Sequence, residues 1–235
     1  MRSITHPVFL AVLLGVTLAA ANVAPGLWVE PSRYPVELEH PAITMADEEV
    51  WVWFWEDSVM VEAWYDMAVH RDFGHSRLYL PMYFTYPELP ETAEFEPWVA
   101  VRIDGVEVEA EAELRSQFRE GAHVATLVQA EFAHVFHPGV CRIEVAYIAP
   151  YVRRENAEGE TGCFEYPLGT GGAWREPIGH GVLHLAPGPG ADWDLLAAYG
   201  QRHLPEPVVG EDEVRWEFFE LEPPPDTCYW IHRAP

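Results

Sequence analysis

The chain contains no lysine, so all 14 of its basic residues are arginines, and Schiff-base and lysine general-base chemistry are excluded. Serine is scarce as well. Past residue 21 only Ser32, Ser58, Ser76 and Ser116 remain, none in a G-x-S-x-G elbow, which leaves serine nucleophilic catalysis little material. No apolar run reaches the roughly 18 residues that a membrane-spanning helix needs, so the mature chain should have no integral membrane segment. Positive charge is thin against 38 acidic residues, and the formal charge of −24 would repel nucleic acid and anionic lipid alike. An acidic surface of this kind keeps a protein soluble; it permits cation binding without requiring it. Cysteine is limited to Cys141, Cys163 and Cys228. In an oxidising compartment two of them pair and one is left over. Cys141 with Cys163 is the nearest pair, closing a loop worth about 3 kcal/mol in the chain-entropy model. Pairings with Cys228, and three free buried thiols, stay open as alternatives.

The N-terminus has the order of a secretory signal. Arg2 supplies charge, Val8 to Leu18 form an apolar core too short to span a bilayer, and Ala19 and Ala21 make an A-x-A cleavage pair. Residues 1–21 are therefore expected to be a cleaved signal peptide, with the mature protein periplasmic or extracellular. No cysteine follows that core before Cys141, so a lipid anchor has no acceptor.

Strand patterning dominates the remainder of the chain, and the expected fold class is all-β: two β-sandwich-like domains with one or two short helices. After a proline-rich stretch from Pro25 to Pro41, Val50, Val52 and Phe54 alternate with Trp51, Trp53 and Trp55. A turn at Glu56–Ser58 leads into a second alternation, with Val59, Val61, Ala63, Tyr65, Met67 and Val69 on one face. Leu78, Leu80, Met82 and Phe84 mark a strand in which Pro81 implies an edge or a bulge. Asp104-Gly105 has the composition of a two-residue hairpin turn, setting Ile103 opposite Val106, Val101 opposite Val108, and Arg102 opposite Glu107. Glu107, Glu109, Glu111 and Glu113 could line a strand as a carboxylate row. Ala110, Leu114 and Phe118 recur every four residues before Gly121, however, and predict a helix instead. Strands return at Val124–Phe136 and Cys141–Ala149. The polar stretch Arg153–Thr161 then suggests a boundary between an N-terminal domain, 22–152, and a smaller C-terminal one, 153–235. In the latter, Cys163–Leu168, Val182–Leu185, Val214–Leu221 and Tyr229–His232 read as strands, and Asp192–Tyr199 as a short helix.

Few constellations suggest chemistry. His180 and His184 would converge on a metal from a helix, but Gly179 and Gly181 favour a strand, on which four steps span about 13 Å, too far to share a zinc. His134 and His137 offer a pair without a third ligand. Asp192 and Asp194 follow Gly188-Pro189-Gly190 and could offer oxygen to calcium, although they lack EF-hand spacing and suit a helix N-terminus equally. No other cofactor is indicated. The row Trp51, Trp53, Trp55 is the most suggestive of binding. Same-face residues lie about 6.6 Å apart on a strand, so an exposed row would be a ladder for sugar rings or apolar groups. Burial on both faces of a central strand is the alternative.

Several short segments resemble a family of uncharacterised bacterial exported proteins, a domain of unknown function behind a signal peptide. They are Ile43-Thr44-Met45 with Glu48 and Glu49; Phe136-His137-Pro138-Gly139 with Tyr147 and Pro150; Tyr166-x-Leu168-x-Thr170-Gly171-x-x-Trp174 with Pro177-Ile178; and Trp216-Glu217 with Leu221-Glu222-Pro223. The resemblance implies a two-part β-sandwich in the envelope or outside the cell, and it implies no reaction. The expectation is a non-enzymatic exported protein that binds a protein or glycan partner. A carboxylate-dependent hydrolase is the competing class, requiring a cleft with two carboxylates about 5–9 Å apart.

Overall fold

The structure, a computed structural model, describes residues 24–25, 42–55, 58–72, 74–86, 98–120, 123–150, 152–156, 159–167, 174–188, 198–200, 205–222 and 228–232. The expected signal peptide, most of the proline-rich stretch, and Asp192 and Asp194 lie outside them. Every regular element among the described residues is a β-strand, in agreement with the all-β expectation.

The largest assembly is an eight-stranded sheet. Its centre is β2 (Ile43–Phe54), β3 (Ser58–Val69) and β9 (Gly139–Pro150), joined antiparallel and extended on one side by β5 (Val99–Ile103) and β6 (Val106–Val108). On the other side β12 (Ile178–Pro187) runs parallel to β2, followed by β15 (Val214–Leu221) and β14 (Val208–Val209). A second sheet has the order β1 (Ala24–Pro25), β4 (Gly74–Tyr86), β8 (His123–Phe136), β7 (Glu111–Glu120). The third places β10 (Val152–Asn156), β11 (Gly159–Pro167), β16 (Cys228–His232) and β13 (Ala198–Gly200) side by side.

Alternation accounts for the packing of the large sheet. Val59, Val61, Ala63, Tyr65, Met67 and Val69 of β3 are all buried, as the pattern predicted, together with Val50, Val52 and Phe54 of β2 and Cys141, Ile143, Val145 and Tyr147 of β9. They form one apolar cluster with Leu78, Ala130, Phe132 and Phe136 of the second sheet, Tyr166 of the third, and Trp174 and Trp216. Successive side chains on a strand point to opposite faces, so one face of the large sheet is core and the other carries the remaining residues. A bulge between Met45 and Asp47 inserts Ala46 and resets this phase. Glu48 thereby joins the inner face, only 2% exposed. There it accepts the Tyr166 hydroxyl proton at 3.2 Å, and Tyr166 accepts from Tyr65 at 3.3 Å. Burial holds both phenols well above their ordinary pKa, so they remain donors.

The Asp104-Gly105 turn forms as read. Both residues have positive φ, 51° and 76°, and Val101, Arg102 and Ile103 face Val108, Glu107 and Val106. Val101 and Ile103 are buried, but Val106 is 67% exposed, because β6 is the sheet's edge. Pro81 is paired with Gln129 of β8, while on its other side β4 meets only the two residues of β1, at Leu78 and Tyr79. That is close to the edge position expected of a strand proline.

Two expectations are corrected. Residues 111–120 form β7 and not a helix, paired with β8 along its length. A spacing of four fits a strand as well as a helix, and ladder hydrogen bonds to β8 outweigh modest helix propensity. Of the second expected helix, 198–200 are strand β13 and the rest lies outside the described residues. Arg153–Thr161 belongs to the β10–β11 hairpin, with Arg154 opposite Thr161 and Asn156 opposite Gly159. β12, β14 and β15 belong to the same eight-stranded sheet as β2, β3 and β9.

Cys141 is a free, buried thiol, so the bridge drawn to Cys163 is not formed in this structure. Burial and the neighbouring Asp104 carboxylate push its pKa up to about 12, which makes it an unreactive thiol. Cys163 and Cys228 occupy adjacent strands but are four residues out of register.

Candidate functional site

Outward-facing residues of the large sheet line up in cross-strand rows, because residues paired across strands share a face. One row is His180, Asp47, Asp66 and Arg142, from β12, β2, β3 and β9 in turn. The next is Val182, Glu49, Trp64 and Glu144. All of these but Glu144 line a hollow of about 460 Å³, beside the bulge at Ala46. Its size falls within the range of small-molecule sites.

Close approach of β12 to the bulge depends on Gly179. A Cβ there would sit 2.6 Å from the Ala46 carbonyl oxygen, a distance real side chains do not adopt. The glycine therefore lets β12 lie against β2 where the phase of β2 is reset, and this places Asp47 and Glu49 outside and Glu48 inside.

The basic groups of the hollow are already engaged. Arg142 donates through Nε and Nη2 to the two Asp66 oxygens, both at 2.7 Å. This fork holds the Asp66 carboxyl below its usual range and raises the guanidinium. His180 bridges two strands, with Nδ1 3.0 Å from Asp47 and Nε2 3.1 Å from Glu217 on β15. Phe219 stacks on its ring at 4.8 Å, and His180 with Arg215 lowers the pKa of the Glu217 carboxyl.

The tryptophan row lies two, four and six residues beyond Glu49 and is half-buried at all three positions. Trp51 stacks on Trp53, with centroids 4.9 Å apart and planes 12° apart, and on His184 at 4.0 Å and 3°. Its indole N–H donates to Glu49 at 2.9 Å, and that of Trp53 to Glu62 at 3.3 Å. Trp55 packs where Gly188 leaves room for it. Trp51 is thus stacked between contacts to Trp53 and His184, and Glu49 connects this stack to the hollow.

The histidine pairs behave as strand geometry requires. His180 and His184 occupy the same face of β12 with separate partners, the latter with Glu213 at 3.0 Å and Glu49 at 3.8 Å. His134 packs edge-on against Phe136, and burial lowers its pKa. His137 lies 3.2 Å from Asp72. Among the described residues no group of three or more His, Cys, Asp or Glu is arranged to hold a metal ion.

Sequence reading named the tryptophan row but missed the hollow. Its only sequence signal is the polar half of each alternation: Asp47 and Glu49; Trp64 and Asp66; Arg142 and Glu144. Nothing local announces that β12 docks parallel to β2, which brings His180 to Asp47 across 133 residues.

No family model matches the chain, and no curated protein matches it. Solved structures do. A Legionella pneumophila protein described as a "putative nutrient binding protein" superposes with a TM-score of 0.58 at 13% identity, covering 92% of this chain and 70% of its own. An M1 zinc metallopeptidase of Deinococcus radiodurans matches with a TM-score of 0.44 at 10% identity, over 85% of this chain and 44% of its own. At 13% identity the likeness to the Legionella protein is one of fold. Among the described residues no helix is long and apolar enough to cross a membrane.

Proposed function

We propose that this is an exported, non-enzymatic binding protein that takes a glycan or protein partner in the hollow on the outer face of its large sheet. The hollow itself carries the proposal: an indole wall, Trp64, stands beside acceptors Asp47, Glu49 and Asp66 at the foot of the Trp51–His184 stack. An aromatic wall with a few placed polar groups suits ligand recognition. The nutrient-binding description of the Legionella protein, which shares the fold, agrees with a binding role. Export rests on the signal-like N-terminus and on the resemblance to bacterial exported proteins.

A carboxylate-dependent hydrolase would need one carboxylic acid held protonated near neutrality. Asp66 is driven the opposite way by Arg142. The test is an oligosaccharide array together with capture from the native envelope fraction, using the wild type and Trp64→Ala in parallel. Binding by the wild type that Trp64→Ala abolishes supports the reading. Equal binding by both proteins moves the site elsewhere, and turnover of a captured oligosaccharide would establish the hydrolase.

A further inference from the structure

The charges around the hollow are not balanced. Asp47, Glu49 and Asp66 present three carboxylates on the outer face, whereas Arg142 and His180 are the only basic groups among the lining residues. Both are committed, Arg142 to Asp66 through two short hydrogen bonds and His180 to Asp47 and Glu217 at its two ring nitrogens. An entering anion would find no uncommitted cation among these residues and would meet a surplus of negative charge, set in a chain of formal charge −24. A cation meets the reverse. Opposite charge at contact distance is favourable in partly desolvated surroundings, and the face of an indole attracts cations through its quadrupole. Trp64 lies directly opposite Glu49 in the register, so one group resting on the outer face over β2 and β3 would touch indole and carboxylate together.

We infer that the hollow recognises an organic cation: the ammonium or guanidinium nitrogen of a small amine, seated against Trp64 with Asp47 and Glu49 as its acceptors. This rests on the proposed function, since it specifies the charge of the group that enters the same site. It also accounts for the committed bases. Arg142 and His180 hold Asp66 and Asp47 in place, leaving the cationic role to the ligand.

The test compares 1,6-diaminohexane with 1,6-hexanediol, equal in length and different in charge, by calorimetric titration into the full chain at low and at physiological ionic strength. The diamine should bind at least about tenfold more tightly than the diol and weaken as salt is raised. Glu49→Gln and Trp64→Ala should each weaken the diamine by about tenfold or more, with Trp64→Phe retaining most of the binding. Glu107→Gln, on exposed β6, should leave the titration unchanged, which separates a site from general attraction to an acidic surface. Melting curves of the variants establish that they fold. Equal affinity for diamine and diol, or an equal loss in Glu107→Gln, would overturn the inference. Binding of neutral oligosaccharides without the diamine would overturn it as well, and would leave the binding reading standing. Failure of the diamine together with every oligosaccharide and envelope partner would remove both.

Discussion

The two faces of the large sheet share the same strands but follow different rules. On the inner face β2, β3, β9, β12 and β15 contribute side chains such as Val52, Val61, Ile143, Leu183 and Trp216, each at most 1% exposed. On the outer face four of these strands present Trp64 together with Asp47, Glu49, Trp51, Asp66, Arg142 and His180, the latter six linked by hydrogen bonds, ion pairs and ring stacking. The inner face determines which fold forms, through apolar area removed from water. The outer face, relieved of that task, is where recognition chemistry can accumulate. The bulge at Ala46 is the hinge between them, since it decides which acidic residue of the Asp47-Glu48-Glu49 run faces the core.

Substitutions should break this comparison unequally. Trp216→Ala on the inner face removes a fully buried ring and should cost about 3–5 kcal/mol, measured by denaturant unfolding. Gly179→Ala should cost about 1–3 kcal/mol, because its Cβ must push β12 away from the Ala46 carbonyl. Unlike Trp216→Ala, it should also impair ligand binding in the fraction that remains folded.

Asp66→Asn comes next. Arg142 lowers the folded-state pKa of Asp66, so the pair's contribution is present above the ordinary Asp range and is lost as pH falls through the lowered value. The variant should be less stable than the wild type by up to about 1 kcal/mol at neutral pH. That gap should close in acid, and a gap that widened there would refute the assignment. Smallest of all, Trp51→Phe should change stability by less than about 1 kcal/mol, since it retains aromatic stacking on His184 and loses only the exposed bond to Glu49.

Legibility in the sequence followed the same division. Hairpin β2–β3, the Asp104-Gly105 turn and the buried face of β9 were readable, because period-two alternation and turn chemistry are local. Residues 111–120 were misread because a spacing of four is shared by helix and strand, and what decides between them is the ladder to β8. The polar stretch Arg153–Thr161 lies in the β10–β11 hairpin, whose pairing its polarity does not announce. The hollow was out of reach because it depends on the parallel docking of β12 on β2, a contact between distant segments. The tryptophans of β2 were visible from the start, but not that their stack would lean on His184 and pass to the hollow through Glu49.

The most direct measurement of the outer-face site follows the indole N–H resonances of the assigned protein by NMR during titration with 1,6-diaminohexane. The account predicts saturable shifts for Trp64, with smaller ones for Trp51 through Glu49, while Trp174 and Trp216 on the buried side stay fixed. Saturation with Trp64 unmoved, or with Trp174 and Trp216 moving as far, would contradict it.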